Sequence, residues 1–382
     1  MNDMKGKQGL VCMGLLLVLS SCSCHTGKQI TASGLQRKDF QTEVNGQHTD
    51  LFTLSNKQGM EVCITNYGAR VVSILVPDRN GKREDVVCGF STITEYMEQR
   101  QNFGSTVGRY IGRILNARFT LDGVEYKLVP NNGKSGHISH GGNPGFADRI
   151  WKVEQADTHR VRLSYLSPDG ENGFPGNLKV TLVYSLGEDD NALDLTYEAT
   201  TDAPTVLNLS HHSFFNISGN FTKSVEDQQL WVDADRFTPY DDKKCVTGEY
   251  LPVAGTPLDF RMPHTIGECI DADHPQLKVV NGYDHTWELN TKGDDTRPAA
   301  WVYDPASGRK MEIFTTEPGM QIYTGNGLKG KMTGKGGIAY PFRSAVCFET
   351  MHFQDSPNQP GFPSTVLRPG EVFRSHTVYK FE

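Results

Sequence analysis

Apolar residues recur at every second position in run after run of this chain, and few folds accept that pattern. In ALDLTYEAT (192–200), Leu193, Leu195 and Tyr197 fall on one side, and Asp194, Thr196 and Glu198 on the other. That is the two-residue period of a strand with one face buried. EVCITNYGARVVSILVP (61–77), ARFTLDGVEYKLV (117–129), LKVTLVYSL (178–186) and KMEIFTT (310–316) are strand-like as well, several with the same alternation. Gly, Asn, Asp and Pro turns separate these runs; LDGVE carries an Asp-Gly hairpin signal, and LSPDGENGFPGN (166–177) is a dense turn loop. No long helical period appears, and no composition break or short repeat follows residue 40. The pattern predicts an all-β protein: a large, single-domain, antiparallel β-sandwich over residues 37–382.

The N-terminus reads differently. Lys5 and Lys7 precede the apolar run LVCMGLLLVLSSC, which has the length of a signal peptide and is short for a membrane-spanning helix. Residues 1–21 are expected to be a lipoprotein signal peptide. LSSC resembles a lipobox, which makes Cys22 a candidate lipid anchor, and residues 22–36 read as a polar flexible tether. The expectation is an exported, membrane-anchored bacterial lipoprotein of the periplasm that meets the membrane only through its lipid. The net charge of −7 speaks against a nucleic-acid partner, which needs a basic face. Of the eight cysteines none forms a C-x-x-C pair; Cys63, Cys88 and Cys347 sit in strand-like runs and read as buried thiols.

Within TVLNLSHHSFFNISG (205–219) two histidines are adjacent. A period of two sets His211 in a row with Leu207, Leu209, Phe215 and Ile217, and His212 in a row with Asn208, Ser210 and Asn216. Neighbouring strand residues point apart, so the two cannot readily grip one metal ion. His212 is the candidate for chemistry and His211 for support; a purely structural histidine is the competing reading. SAVCFETMHF (344–353) places Glu349 inside an apolar strand. A carboxylate there is either paired, with Arg343 or Arg374 as partners, or shifted upward into the range of a general base. HISHGG (137–142) spaces His137 and His140 beside two glycines, as a ligand-contacting loop would; a metal there lacks a third ligand. Arg109, Arg113, Asp284, Gln321 and Tyr323 add donors, acceptors and an aromatic wall of the kind a sugar pocket uses.

The motifs GRYIGRI, SHGGNPGF, SPDGENGFPG, NLSHHSFFN, NGYDHTW, EPGMQIYTGN and FETMHFQDSPNQPGFP, with a closing LRPGE, occur in an order that resembles the aldose 1-epimerase (galactose mutarotase) family. The resemblance covers residues 40–382. It implies a sugar site in an open cleft on one sheet of the sandwich. The implied activity is interconversion of the α and β anomers of free aldohexoses such as glucose and galactose, with no cofactor in the chemistry, no resident catalytic metal, and calcium left open. By position it assigns the general base to Glu349, the general acid to His212, and sugar binding to His140, Arg113, Asp284 and Gln321. A monomer acting on a monosaccharide is expected. The chain departs from its relatives in reading His211-His212 for a frequent Asn-His, Ile111-Gly112-Arg113 for Ala-Asn-Arg, and Phe214 for tyrosine. The rival readings are a non-catalytic sugar-binding lipoprotein, a glycoside hydrolase working with two carboxylates, and a relative acting on phosphorylated hexoses.

Overall fold

A computed structural model describes residues 29–382. The signal peptide and Cys22 lie outside these residues. The expected tether ends earlier than residue 36. Ile30 bridges Gln36, the amide of Ala32 donates to Glu61 Oε1 at 2.6 Å, and Thr31 and Leu35 are buried. An apolar leucine and a tight turn let this stretch pack where its polar composition suggested a free linker.

The period-two runs form the strands they predict. A nine-stranded antiparallel sheet runs, in spatial order, Lys152–Ala156, Arg160–Ser167, Leu178–Leu186, Ala192–Thr201, Phe373–Phe381, Lys310–Thr315, Ala300–Tyr303, Gln229–Val232 and His264–Thr265. A six-stranded sheet runs Phe214–Phe215, Val346–Met351, Gly319–Tyr323, Asp284–Glu288, Arg236–Thr238 and Leu251–Pro252. A four-stranded sheet (Leu51–Ser55, Glu61–Thr65, Arg70–Pro77, Arg83–Asp85) completes the core. The helices are short: Ile93–Gln99, opened by a Thr92–Glu95 capping box, and Pro275–Val280. Among the described residues no helix is long and apolar enough to cross a membrane.

The two larger sheets pack face to face. Leu182, Leu195, Ile313 and Tyr379 of the nine-stranded sheet share one apolar cluster with Trp287, Ile322 and Phe348 of the six-stranded sheet. Polar atoms between the layers are paired: Tyr379 Oη donates to the Phe348 carbonyl at 3.0 Å, and the hydroxyls of Thr350 and Thr377 lie 2.7 Å apart. Phe348 and Thr350 therefore face the sandwich interior. Their neighbours Cys347, Glu349 and Met351 project from the opposite side of the six-stranded sheet.

On the central strand Phe373–Phe381 of the nine-stranded sheet, His376 ties two strands to a loop. Its Nδ1 lies 2.7 Å from Asp295 and its Nε2 3.2 Å from Asp194. The hydrogen bond to Asp194 is the main cause of a raised imidazole pKa. A raised folded-state value means that the stabilisation is fully present below the ordinary histidine value, 6.5, and is lost as pH rises through the folded value. His376→Gln is expected to cost about 0.5–1 kcal/mol in denaturant titration on the acidic side and little at pH 9 or so. A cost independent of pH would contradict the assignment.

Candidate active site

Register assembles the floor of the site. Gln321 pairs with Glu349, and Asp284 with Tyr323, across adjacent strands of the six-stranded sheet. With a side-chain period of two, Glu349, Gln321, Tyr323 and Asp284 share the face turned away from the core. That face opens into a cavity of about 240 Å³ whose walls include all six residues singled out above: Arg113, His140, His212, Asp284, Gln321 and Glu349. Asn102, Phe214, Tyr323 and Gln354 complete much of the lining.

His212 comes from the strand Ser210–His212, held by Ser105–Val107. The apolar stretch is interrupted there, yet its alternation survives. His211 turns inward, with Nε2 2.6 Å from Ser213 Oγ and its ring beside Tyr184 and Tyr379. His212 turns into the cleft, stacks on Phe214 at 5.1 Å, and sets Nε2 3.4 Å from Glu349 Oε1. Both members of this pair are buried, at 6% and 4% exposure. Arg343 pairs instead with Glu226 and Asp271, and Arg374 with Glu198, so neither neutralises Glu349.

Burial dominates the electrostatics. It drives the Glu349 carboxyl well above its ordinary value, with the Asp284 charge adding to the effect. It drives His212 well below its ordinary value, with His140 adding to the effect. Both directions favour the uncharged forms, a carboxylic acid beside a neutral imidazole that together carry one proton. Asp284 is also raised by burial, against the pull of Arg113 and a hydrogen bond from Gln321 Nε2 at 2.6 Å.

His140 and Arg113 are positioned together. Ser139 pairs with Arg113 in a short ladder, the His140 amide donates to the Gly112 carbonyl at 2.9 Å, and Gly112 N–H points at His140 Nδ1 at 3.4 Å. His140 takes a left-handed backbone, φ 52°, next to Gly141, where a Cβ would lie 2.0 Å from the Gly108 carbonyl oxygen. Burial, then Arg113, lowers His140 to about 4. It is therefore neutral near pH 7, and with Nδ1 occupied by an amide, Nε2 is its proton donor.

Two other candidates take structural roles. Arg109 is buried outside the cleft and donates to the carbonyls of Pro175, Gly176, Ser167 and Pro168, pinning the 166–177 turn. A guanidinium with five donors suits such a carbonyl cage, and this use cannot be told from a sugar contact by spacing alone. His137 parts from His140: its Nδ1 accepts the Asn116 amide at 2.9 Å and its Nε2 lies 3.3 Å from Cys245 Sγ. Among the described residues one trio of potential metal donors gathers, His212, Cys347 and Glu349, with ligand atoms within 4.8 Å. Cys347 lies 3.6 Å from Nδ1, whereas Glu349 faces Nε2, so the two approach different nitrogens of one ring. Burial also holds the Cys347 thiol protonated.

Gln354 and Tyr240 were not singled out in the sequence. Gln354 lines the cleft, and its Nε2 donates to Tyr240 Oη at 2.7 Å. The signal available was Gly112, whose missing side chain leaves a space that another residue must fill.

The raised Glu349 value has a consequence for stability. A carboxyl that binds its proton more tightly when folded loses stability as pH rises from the ordinary value, 4.5, toward the folded one. Glu349→Gln is expected to melt higher than the unsubstituted chain at pH 8 or so, with the gap closing at pH 4 or so. A lower melting temperature across the whole range would contradict the neutral-pair description.

Comparison with known proteins agrees with this geometry. The family described as aldose 1-epimerase matches residues 50–380. The galactose mutarotase of Bos taurus is 40% identical over 331 residues, 86% of this chain and 93% of that one. The aldose 1-epimerase of Escherichia coli K12 is 36% identical over 339 residues, 88% and 96% of the two chains. Among solved structures, an aldose epimerase homologue from C. elegans superposes with a TM-score of 0.80 at 31% identity, covering 87% of this chain and 99% of that one. A galactose 1-epimerase from Lactobacillus acidophilus gives 0.77 at 28% identity, covering 90% and 97%. The chain belongs to the aldose 1-epimerase family of carbohydrate isomerases.

Proposed function

We propose that this enzyme interconverts the α and β anomers of free aldohexoses, galactose and glucose among them, with Glu349 and His212 as the proton-transfer pair. The single observation that carries the reading is the buried carboxyl–imidazole contact at 3.4 Å in the wall of a sugar-sized polar cleft.

Mutarotation opens a cyclic hemiacetal and closes it on the other face of the carbonyl. Opening removes a proton from the anomeric hydroxyl and delivers one to the ring oxygen. With the pair's single proton on His212, Glu349 is a carboxylate able to take the hydroxyl proton, and His212 is an imidazolium able to protonate the ring oxygen. The open aldehyde is left beside a neutral acid and a neutral imidazole, the form that burial favours. Rotation about C1–C2 presents the other carbonyl face, and both transfers run backwards. The pair ends as it began, and no cofactor takes part in these steps. His140 Nε2–H, Arg113, Asp284 and Gln321 are assigned to the sugar hydroxyls and ring oxygen, holding them in line with the pair.

The rival readings fit less well. A hydrolase would pair two carboxylates, but the partner that faces Glu349 is an imidazole, while Asp284 is engaged by Gln321. A phosphorylated sugar calls for clustered cations; among the described residues lining the cleft Arg113 is the one permanent cation. A binding protein has no need of a desolvated proton pair. We further propose, on the N-terminal sequence, that the enzyme acts as an exported lipoprotein anchored through Cys22, meeting sugars released outside the cytoplasm.

Polarimetry on freshly dissolved α-D-galactose and α-D-glucose tests the assignment. Glu349→Gln and His212→Gln are each expected to lower kcat by about 10²–10⁴-fold. The proton count also fixes the pH profile. Activity falls on the acid side as the lowered His212 takes up a second proton, and on the alkaline side as the raised Glu349 gives up the last one. The acid limb should therefore lie below the ordinary histidine value, 6.5, and the alkaline limb above the ordinary carboxyl value, 4.5. An acid limb above 6.5 or an alkaline limb below 4.5 would contradict the shared-proton scheme.

A further inference from the structure

Gly112 and Gln354 meet in the wall of the cleft. Gly112 sits at φ +73°, and a Cβ built there would lie 2.5 Å from Gln354 Cγ and 3.0 Å from its Cδ. The volume that a side chain at 112 would occupy is thus filled by a glutamine from another segment. That segment is anchored: the Asp355 amide donates to the Arg113 carbonyl at 2.8 Å, and Asp355 Oδ1 accepts the Leu115 amide at 2.9 Å. The Gln354 side chain is 4% exposed and makes three polar contacts. Its Oε1 accepts the Arg113 amide at 3.2 Å, and its Nε2 reaches Tyr240 Oη at 2.7 Å and Gln321 Oε1 at 3.3 Å.

These contacts continue a chain. Gln321 uses its carbonyl oxygen to accept from Gln354 and Thr286, which leaves its Nε2 directed at Asp284 Oδ1, 2.6 Å away. A carboxamide has distinct donor and acceptor ends, so fixing one end of Gln321 fixes the other. Gln354 thereby sets which way Gln321 points, how Asp284 is held, and how much room remains beside Arg113. Discrimination between hydroxyl epimers rests on such fixed donors and acceptors, because a misplaced hydroxyl leaves a buried polar group unpaired.

We propose that Gln354 is a specificity-determining residue of the sugar site: its carboxamide fills the place left by the absent side chain at 112 and orients the Gln321–Asp284 pair toward one hydroxyl configuration. This rests on the aldose reading of the cleft and extends it to the choice of sugar.

Three variants test it: Gln354→Met, which keeps the volume and removes the hydrogen bonds; Gly112→Asn; and the double variant Gly112→Asn/Gln354→Ala. The galactose-to-glucose ratio of kcat/KM is expected to shift by about 5–10-fold in Gln354→Met, carried by KM rather than kcat, the size of one lost hydrogen bond. Gly112→Asn should weaken both sugars by roughly tenfold or more through the clash, and the double variant should recover most of that loss. Thermal melts check that each variant is folded. A ratio unchanged in folded Gln354→Met, or a Gly112→Asn penalty equally large without Gln354, would overturn the proposal. If the unsubstituted chain turns over neither sugar, the epimerase reading fails instead. Calorimetric Kd values for the same two sugars then read the same ratio.

Discussion

One desolvated contact, His212 Nε2 against Glu349 Oε1, organises the site. In water near neutral pH a carboxyl is ionised and an imidazole is partly protonated. Burial strips the hydration of both, and among the described residues no Lys or Arg pairs with Glu349, so the uncharged forms are favoured. The neutral pair and the ion pair differ by a single proton shift between Glu349 and His212. A reaction that removes a proton at one oxygen and adds one at its neighbour needs that property of its catalyst.

The rest of the fold serves to hold that contact dry and rigid. Val346–Met351 is buried along its whole length, with Phe348 and Thr350 locked into the sandwich. The backbone that carries Glu349 is thereby held in place. His212 is fixed from behind by its ladder to Ser105–Val107 and by stacking on Phe214. Loops supply the remaining contacts, as is usual where a rigid sheet carries a site. Arg109 belongs to this scaffold: it braces the turn region rather than meeting the ligand.

Much of this was legible in the sequence because strand periodicity is a geometric code. The alternation in ALDLTYEAT matches the observed burial of Leu193, Leu195 and Tyr197. The same rule separated His211 from His212 although the strand carrying them is broken into short pieces. Glu349 stood out because a carboxylate in an apolar strand has few physical excuses. What could not be read was tertiary. Arg109 and Arg113 lie four residues apart in one motif, yet one braces a turn and the other lines the cleft. Gln354 looks like an ordinary turn residue until its contact with Gly112, distant in sequence, is seen. The packing of residues 29–36 depended on Glu61, a partner that no local pattern announces.

The shared proton can be observed without turnover. Infrared difference spectroscopy of the sugar-free enzyme near neutral pH, comparing the unsubstituted chain with Glu349→Gln, reads the carboxyl directly. The account predicts a protonated carboxylic C=O band that disappears in the variant. A carboxylate signature lost in its place would show that Glu349 rests ionised beside His212, and would contradict the neutral pair on which the mechanism is built.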